Sequence, residues 1–176
     1  EATRFLIAST SEMMAYGMPY ATVGEFLLGN PDYGSLCEGF HDFYSTYEMM
    51  PCGTLAVTDC SELDNMAAIM KSINDRYVFD DSLQGELQGL DGYTPVIFYD
   101  FADYVLTLCS DPVLTARFRE QLERLVPYKT HTGKFYSRTK GPLPIHTFSG
   151  ITISDPSTNP MALLKGTTSW YKATHE

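Results

Sequence analysis

Four consecutive apolar residues, Phe5-Leu6-Ile7-Ala8, stand almost at the head of this sequence, preceded only by Glu1-Ala2-Thr3-Arg4. A run so short and so uniformly apolar reads as a buried strand. A buried strand must find partners for its backbone N–H and C=O groups, so it needs sheet neighbours. Neither an initiator Met nor a signal peptide with a basic start precedes it. The expectation is a processed fragment, separated from an upstream polypeptide that supplies part of the sheet.

The rest of the chain alternates helical and extended patterns. Residues 22–28 and 33–48 read as helices broken at Gly29-Asn30-Pro31-Asp32. Leu36, Phe40, Phe43 and Tyr47 recur at the spacing of one helix face. A buried strand is expected over 53–59. A long helix is expected over 61–77, capped by Ser61, with Leu63, Met66, Ala67, Met70, Ile73 and Tyr77 as its stripe. Residues 78–93, with Gly85, Gly89 and Gly92, read as loop. Another helix is expected over 95–109. Asp111-Pro112 then caps a helix whose buried side is Leu114, Phe118, Leu122 and Leu125. Strand-like pieces follow over 128–131, 135–137 and 148–153. After the turn cluster of residues 155–160 come a short helical piece and the aromatic pair Trp170-Tyr171. No repeat or linker divides the chain, so residues 1–176 read as a single domain of α/β class.

Composition narrows the function classes. Twelve Lys and Arg against 22 Asp and Glu give a net charge of −10, which argues against a nucleic-acid surface. Hydrophobic residues make up 44% of the chain and aromatics 13%, too much apolar material for a disordered segment. No apolar stretch approaches the roughly 18 residues of a membrane span. There is no CxxC, HExxH, Walker loop or GxGxxG, so metal and nucleotide sites have no support. Asp80-Asp81 and Asp91 offer oxygens for calcium, but their spacing matches no EF-hand and a solvated acidic loop explains them as well.

Four cysteines and four histidines remain as candidate catalytic groups. Cys37 and Cys109 lie on apolar helix faces and read as core. Cys52, between Pro51 and Gly53, reads as an exposed turn residue. Cys60 follows a strand and precedes a helix, whose N-terminus would favour a thiolate; His131 or His146 would then be its base. Packing alone explains the same position and is the preferred reading. His41, between Phe40 and Asp42, reads as a surface or boundary residue. The loop over residues 9–20 is unusual for its Met, Tyr and Gly, and its apolar groups must cover either the core or a ligand cleft.

The same loop carries a family resemblance. Ala8-Ser9-Thr10-Ser11-Glu12 followed by Gly17-Met18-Pro19-Tyr20 is similar to an "ASxxE…GxPY" stretch of the clostripain-type cysteine peptidases. In order along the chain, residues 54–64 resemble the family's "TLSAIDLSKLD". Residues 128–132, 148–153 and 169–174 resemble later family segments. The resemblance implies a caspase-like α/β sandwich, shared with gingipains and legumains, of which this chain supplies the C-terminal part. The family's catalytic His, and its Cys in an Asp-Ala-Cys motif, lie upstream of the strand matching Phe5 to Ala8. Neither motif occurs here, and Cys60 aligns with an ordinary helix-start position.

The implied protein is the heavy chain of a secreted bacterial endopeptidase cleaving after Lys or Arg. Its Cys–His dyad lies on a companion light chain, and proteolytic processing activates it. The resemblance implies no catalytic residue in this chain, no metal and no cofactor, with calcium dependence left open. The expected location is the cell exterior or envelope, with lipid anchoring through an upstream part as one form of it. Expected partners are the light chain and a peptide or protein substrate. Ser9, Thr10, Ser11, Glu12 and Tyr16 are the candidate substrate-binding residues. The Ser9 and Thr10 backbone is expected to pair with an extended substrate. Glu12 is the loop's one carboxylate for a basic side chain, although a cap or salt bridge would also account for it. Tyr16 stands where the family often has Asp, so an Asp beside the family's Cys is the other source of charge. Met13, Met14 and Met18 either line an adaptable subsite or fill core gaps; Trp170 is read as an anchor for the tail, with packing over the cleft as the alternative. A non-catalytic peptide-binding relative is the alternative.

Overall fold

The computed structural model describes residues 3–176; Glu1 and Ala2, at the head of the first strand's lead-in, lie outside them. Its centre is a three-stranded antiparallel sheet in the order β1 (Phe5–Ala8), β2 (Thr54–Asp59), β4 (Tyr128–His131). Helices cover both faces of β2, which explains why all six of its residues are buried. On one face α2 (Tyr33–Ser45) packs Leu36, Phe40 and Tyr44 against Leu55 and Val57. On the other, α3 (Leu63–Asn74), α4 (Phe101–Leu108) and α5 (Pro112–Leu125) gather around Ala56 with Met66, Met70, Phe101 and Phe118.

β1 departs from the buried strand expected of it. Phe5 and Ile7 pack toward α2, but Leu6 is 51% exposed and Ala8 is also exposed. The reason is positional: alternate side chains of a strand point to opposite faces, and Leu6 and Ala8 lie on the face away from α2, bordering an open groove with Cys60, Leu63 and Ile151. Among the described residues β1 pairs only with β2.

The helix boundaries moved for local chemical reasons. The helix expected over 22–28 is split into α1 (Tyr20–Val23) and a 3-10 turn, Gly24–Leu27. Asp59, not Ser61, organises the start of the next helix, since its carboxylate accepts from both Ser61 N and Ser61 Oγ. A 3-10 turn, Cys60–Glu62, results, and α3 begins at Leu63. The helix expected from residue 95 begins only at Phe101. Ahead of it, Asp91 accepts from Ile97 N and Phe98 N, and β3 (Tyr99–Asp100) pairs with β7 (Thr152–Ile153). Asp100 then caps α4 by accepting from Asp103 N at 3.1 Å. The Asp111 cap and Pro112 start of α5 are as read, and so is its buried stripe.

A hairpin, β5 (Lys134–Ser137) with β6 (Gly141–Pro144), completes the extended structure. β6 holds two prolines, which hides it from a strand pattern but suits a two-stranded ribbon with a free edge. The chain ends in a 3-10 segment, Pro160–Thr167, and α6 (Ser169–His175), which packs on α3. Trp170 meets Phe101 edge-on at 6.0 Å and so ties the tail to the core.

Candidate substrate cleft

Where β1 ends, the chain turns into the loop of residues 9–12, and a cleft of about 390 Å3 opens beside it. One wall is Ser9, Thr10, Ser11 and Glu12; the other is Leu90, Asp91, Tyr93 and Phe98. Glu12 also borders a second hollow of about 410 Å3 against Arg138 and Thr139, at the tip of the β5–β6 hairpin. Glu12 and Tyr93, one from each wall, are thus shared by both hollows.

The loop is held by side-chain hydroxyls. Ser9 Oγ donates to Ser11 O at 2.9 Å and accepts from Ser11 N at 3.3 Å. Thr10 N donates to Thr54 Oγ1 at 3.2 Å. That N–H is therefore unavailable to a substrate strand, and any pairing by this segment falls to its remaining backbone groups. Farther along, Glu12 forms a bridge to Tyr136, and its Oε2 accepts the backbone N–H of Arg138. Glu12 therefore serves as an acceptor for the hairpin backbone while also lining the cleft.

Two carboxylates face the cleft, and their surroundings separate them. Asp91 is 7% exposed and accepts from Tyr93 N, Ile97 N and Phe98 N at 2.7–2.8 Å. Its charge is committed to holding its own loop. Glu12 is exposed, with Oε1 free of any protein donor among the described residues. The second wall is closed tightly on the hairpin: a Cβ at Gly92 would stand 1.8 Å from Ser137 Oγ and 2.8 Å from Thr139 Oγ1.

Tyr16 is not brought to this cleft. Its ring stacks on Phe43 at 4.9 Å and lies 5.8 Å from Tyr47, outside α2. Met14 and Met18 pack into the cluster around α2, while Met13 is 37% exposed. Position alone did not reveal Thr54 or Tyr93, because neither a strand-start Thr nor a loop Tyr is a chemical signal in sequence.

The thiols complete the picture. Cys37 and Cys109 are buried as expected, but Cys52 is 1% exposed and not an open turn residue. Gly53 beside it is packed under Phe40 and Tyr44, which closes that turn over the core. Burial pushes the Cys37 thiol up to about 11 and raises that of Cys52. Cys60 is half-buried, its Sγ directed at Thr58 O at 3.9 Å. His131 accepts from Gly133 N through Nδ1 and lies 5.0 Å from the Phe148 ring. Burial, and secondarily His41, holds it below the ordinary imidazole value. No cysteine is hydrogen-bonded to a histidine among the described residues, nor do three metal-ligating side chains converge there. No described helix is long and apolar enough to cross a membrane.

No protein-family model and no curated protein matches the sequence. Solved structures do match. A clostripain from Bacteroides thetaiotaomicron, in complex with the peptide inhibitor BTN-VLTK-AOMK, is 62% identical with a TM-score of 0.95, over 98% of this chain and 77% of its own. The secreted C11 cysteine protease "iotapain" of the same organism gives the same identity and TM-score, and this chain spans 49% of its length. An inactive zymogen C11 protease from Parabacteroides distasonis is 29% identical, with a TM-score of 0.80, over 98% of this chain and 52% of that one. With its helices on both faces of the sheet and its cleft at the end of β1, this chain has the caspase-like fold and belongs to the clostripain (C11) family of cysteine proteases.

Proposed function

We propose that this chain is the heavy chain of a secreted cysteine endopeptidase that cleaves after Lys or Arg, with its Cys–His dyad on a companion light chain. The carrying observation is the 62% identity to a clostripain bound to a peptide inhibitor whose sequence, VLTK, ends in lysine. Glu12 fits that reading, because a cation leaving water requires a carboxylate partner, and Glu12 lines the cleft with Oε1 free of any protein donor among the described residues.

The edge of β1 that pairs with nothing among the described residues fits a companion that adds strands there. Leu6 and Ala8 beside it border a groove with Cys60, Leu63 and Ile151, apolar surface of the kind a partner covers. In the complete enzyme a thiolate attacks the scissile carbonyl, the imidazole carries the proton to the leaving amine, and backbone amides hold the oxyanion. Processing then acts by releasing a segment that had obstructed the cleft.

Tyr16, found against α2 and not near Glu12, favours one other reading: a relative of the same fold that binds peptides without a basic preference. Two measurements decide. Intact mass under denaturing, reducing conditions is expected to show a second polypeptide at equal stoichiometry that contains an Asp-Ala-Cys segment. Cleavage of a peptide panel is expected only after Lys and Arg. One uncut chain with full activity overturns the processing model, and binding without cleavage favours the non-catalytic relative.

A further inference from the structure

The structure assigns Thr54 the role of positioning residue for the substrate wall, an inference that rests on the peptidase reading above. Thr54 is the first residue of β2, 1% exposed and locked in register opposite His131. Its Oγ1 lies beneath the loop that leaves β1. Ser9 Oγ is 2.7 Å away, Ser11 Oγ 3.1 Å, and Thr10 approaches through both N and Oγ1 at 3.2 Å. One buried hydroxyl therefore touches three successive residues of the wall.

The protons can be placed. Ser9 Oγ spends its hydrogen on Ser11 O, so toward Thr54 it accepts, and the Thr54 proton points at Ser9. The lone pairs of Thr54 then face Thr10 N and Thr10 Oγ1, with Ser11 Oγ sharing the same oxygen. A hydroxyl offers one donor and two acceptors, and here all three are filled. The β-branched side chain is stiff about its first torsion, and the strand fixes its backbone. The hydroxyl is thus a rigid point on the scaffold that sets where the Ser9–Thr10–Ser11 backbone lies, and with it the reach of Glu12. Thr54 acts through that loop and touches no substrate. A small misplacement of such a wall weakens productive binding before it weakens the chemistry.

The test compares Thr54→Val, which keeps shape but removes the hydroxyl, with Thr54→Ser, which keeps the hydroxyl, in the complete processed protein. Hydrogen exchange of the Thr10 and Ser11 amides is read alongside steady-state cleavage of a Lys-containing peptide. The Val variant is expected to exchange these amides roughly tenfold faster and to raise KM roughly tenfold, with kcat changed less than about threefold. The Ser variant is expected to lie within about twofold of the parent in both. If Thr54→Val fails to fold, Ser9→Ala breaks the same network from the exposed side, with the same expected signature. Unchanged amide exchange overturns the inference whatever the activity. Faster exchange with an unchanged KM overturns its substrate clause alone. A parent protein that cleaves no peptide overturns the peptidase reading and that clause together, and exchange then still decides whether Thr54 holds the loop.

Discussion

The Glu12 carboxylate accepts the backbone N–H of Arg138, a residue 126 positions away, and so joins the loop after β1 to the tip of the β5–β6 hairpin. Among the described residues only Oε2 is engaged. Glu12→Gln preserves an acceptor for Arg138 N but removes the charge offered to the cleft. Cleavage after Lys is expected to lose roughly 10- to 100-fold in kcat/KM, the scale of one charge-assisted hydrogen bond. A peptide with norleucine in place of the lysine should change by less than about threefold, since it makes no such bond. Parallel loss on both peptides would mean that Glu12 serves the hairpin contact alone.

Gly92 holds the opposite wall against that same hairpin. A methyl group there meets Ser137 Oγ at 1.8 Å and Ser137 Cβ at 2.8 Å, and Ser137 is itself 1% exposed, so the obstacle is not free to swing away. Gly92→Ala is expected to separate the loop from the hairpin and to destabilise the protein by about 1–3 kcal/mol, as overpacking does. Thermal unfolding reads the stability, and KM for the Lys peptide should rise with it. An Ala variant as stable as the parent would show that the two walls are not in fixed contact.

Much of this arrangement was legible in sequence, and the parts that were not share a cause. The α5 stripe of Leu114, Phe118, Leu122 and Leu125 was readable because burial on one face of a regular helix imposes a period. Strands β2 and β4 were readable as compact runs between turns. The loop at residues 9–12, which lines the cleft, stands out in sequence only through its resemblance, and Glu12 as its one carboxylate. The misses arise where a side chain captures backbone donors: Asp59 at Ser61, Asp91 at Ile97 and Phe98, Asp100 at Asp103. Such contacts reset a helix start by several residues and leave no periodic trace. The exposure of Leu6 and the burial of Cys52 depend on which elements lie above them, which no local pattern encodes.

Cys60 sits at a tempting place, but among the described residues no histidine is hydrogen-bonded to it, and its thiol faces Thr58 O. Cys60→Ala is expected to keep kcat/KM within about twofold, because a nucleophile's removal costs orders of magnitude and a packing change does not. Loss of activity in Cys60→Ala with an unchanged melting temperature would restore it as a nucleophile.

Asp59 supplies a pH signature for the turn that launches α3. Hydrogen bonds from Ser61, and then from Arg4, hold its carboxyl below the usual carboxylate range. A carboxyl whose folded value is depressed stabilises the fold above its unfolded value of about 3.9. That contribution is lost as pH falls from there through the depressed value. Asp59→Asn keeps an acceptor for Ser61 but cannot titrate. Its melting temperature is expected to lie below the parent's at neutral pH, with the gap narrowing as pH falls below about 4. The Arg4 partner is 70% exposed, so its ion pair is weak in water. Arg4→Gln should therefore shift the profile less than Asp59→Asn. A gap that stays constant across the acid range would assign the loss to side-chain geometry and remove the charge from the account.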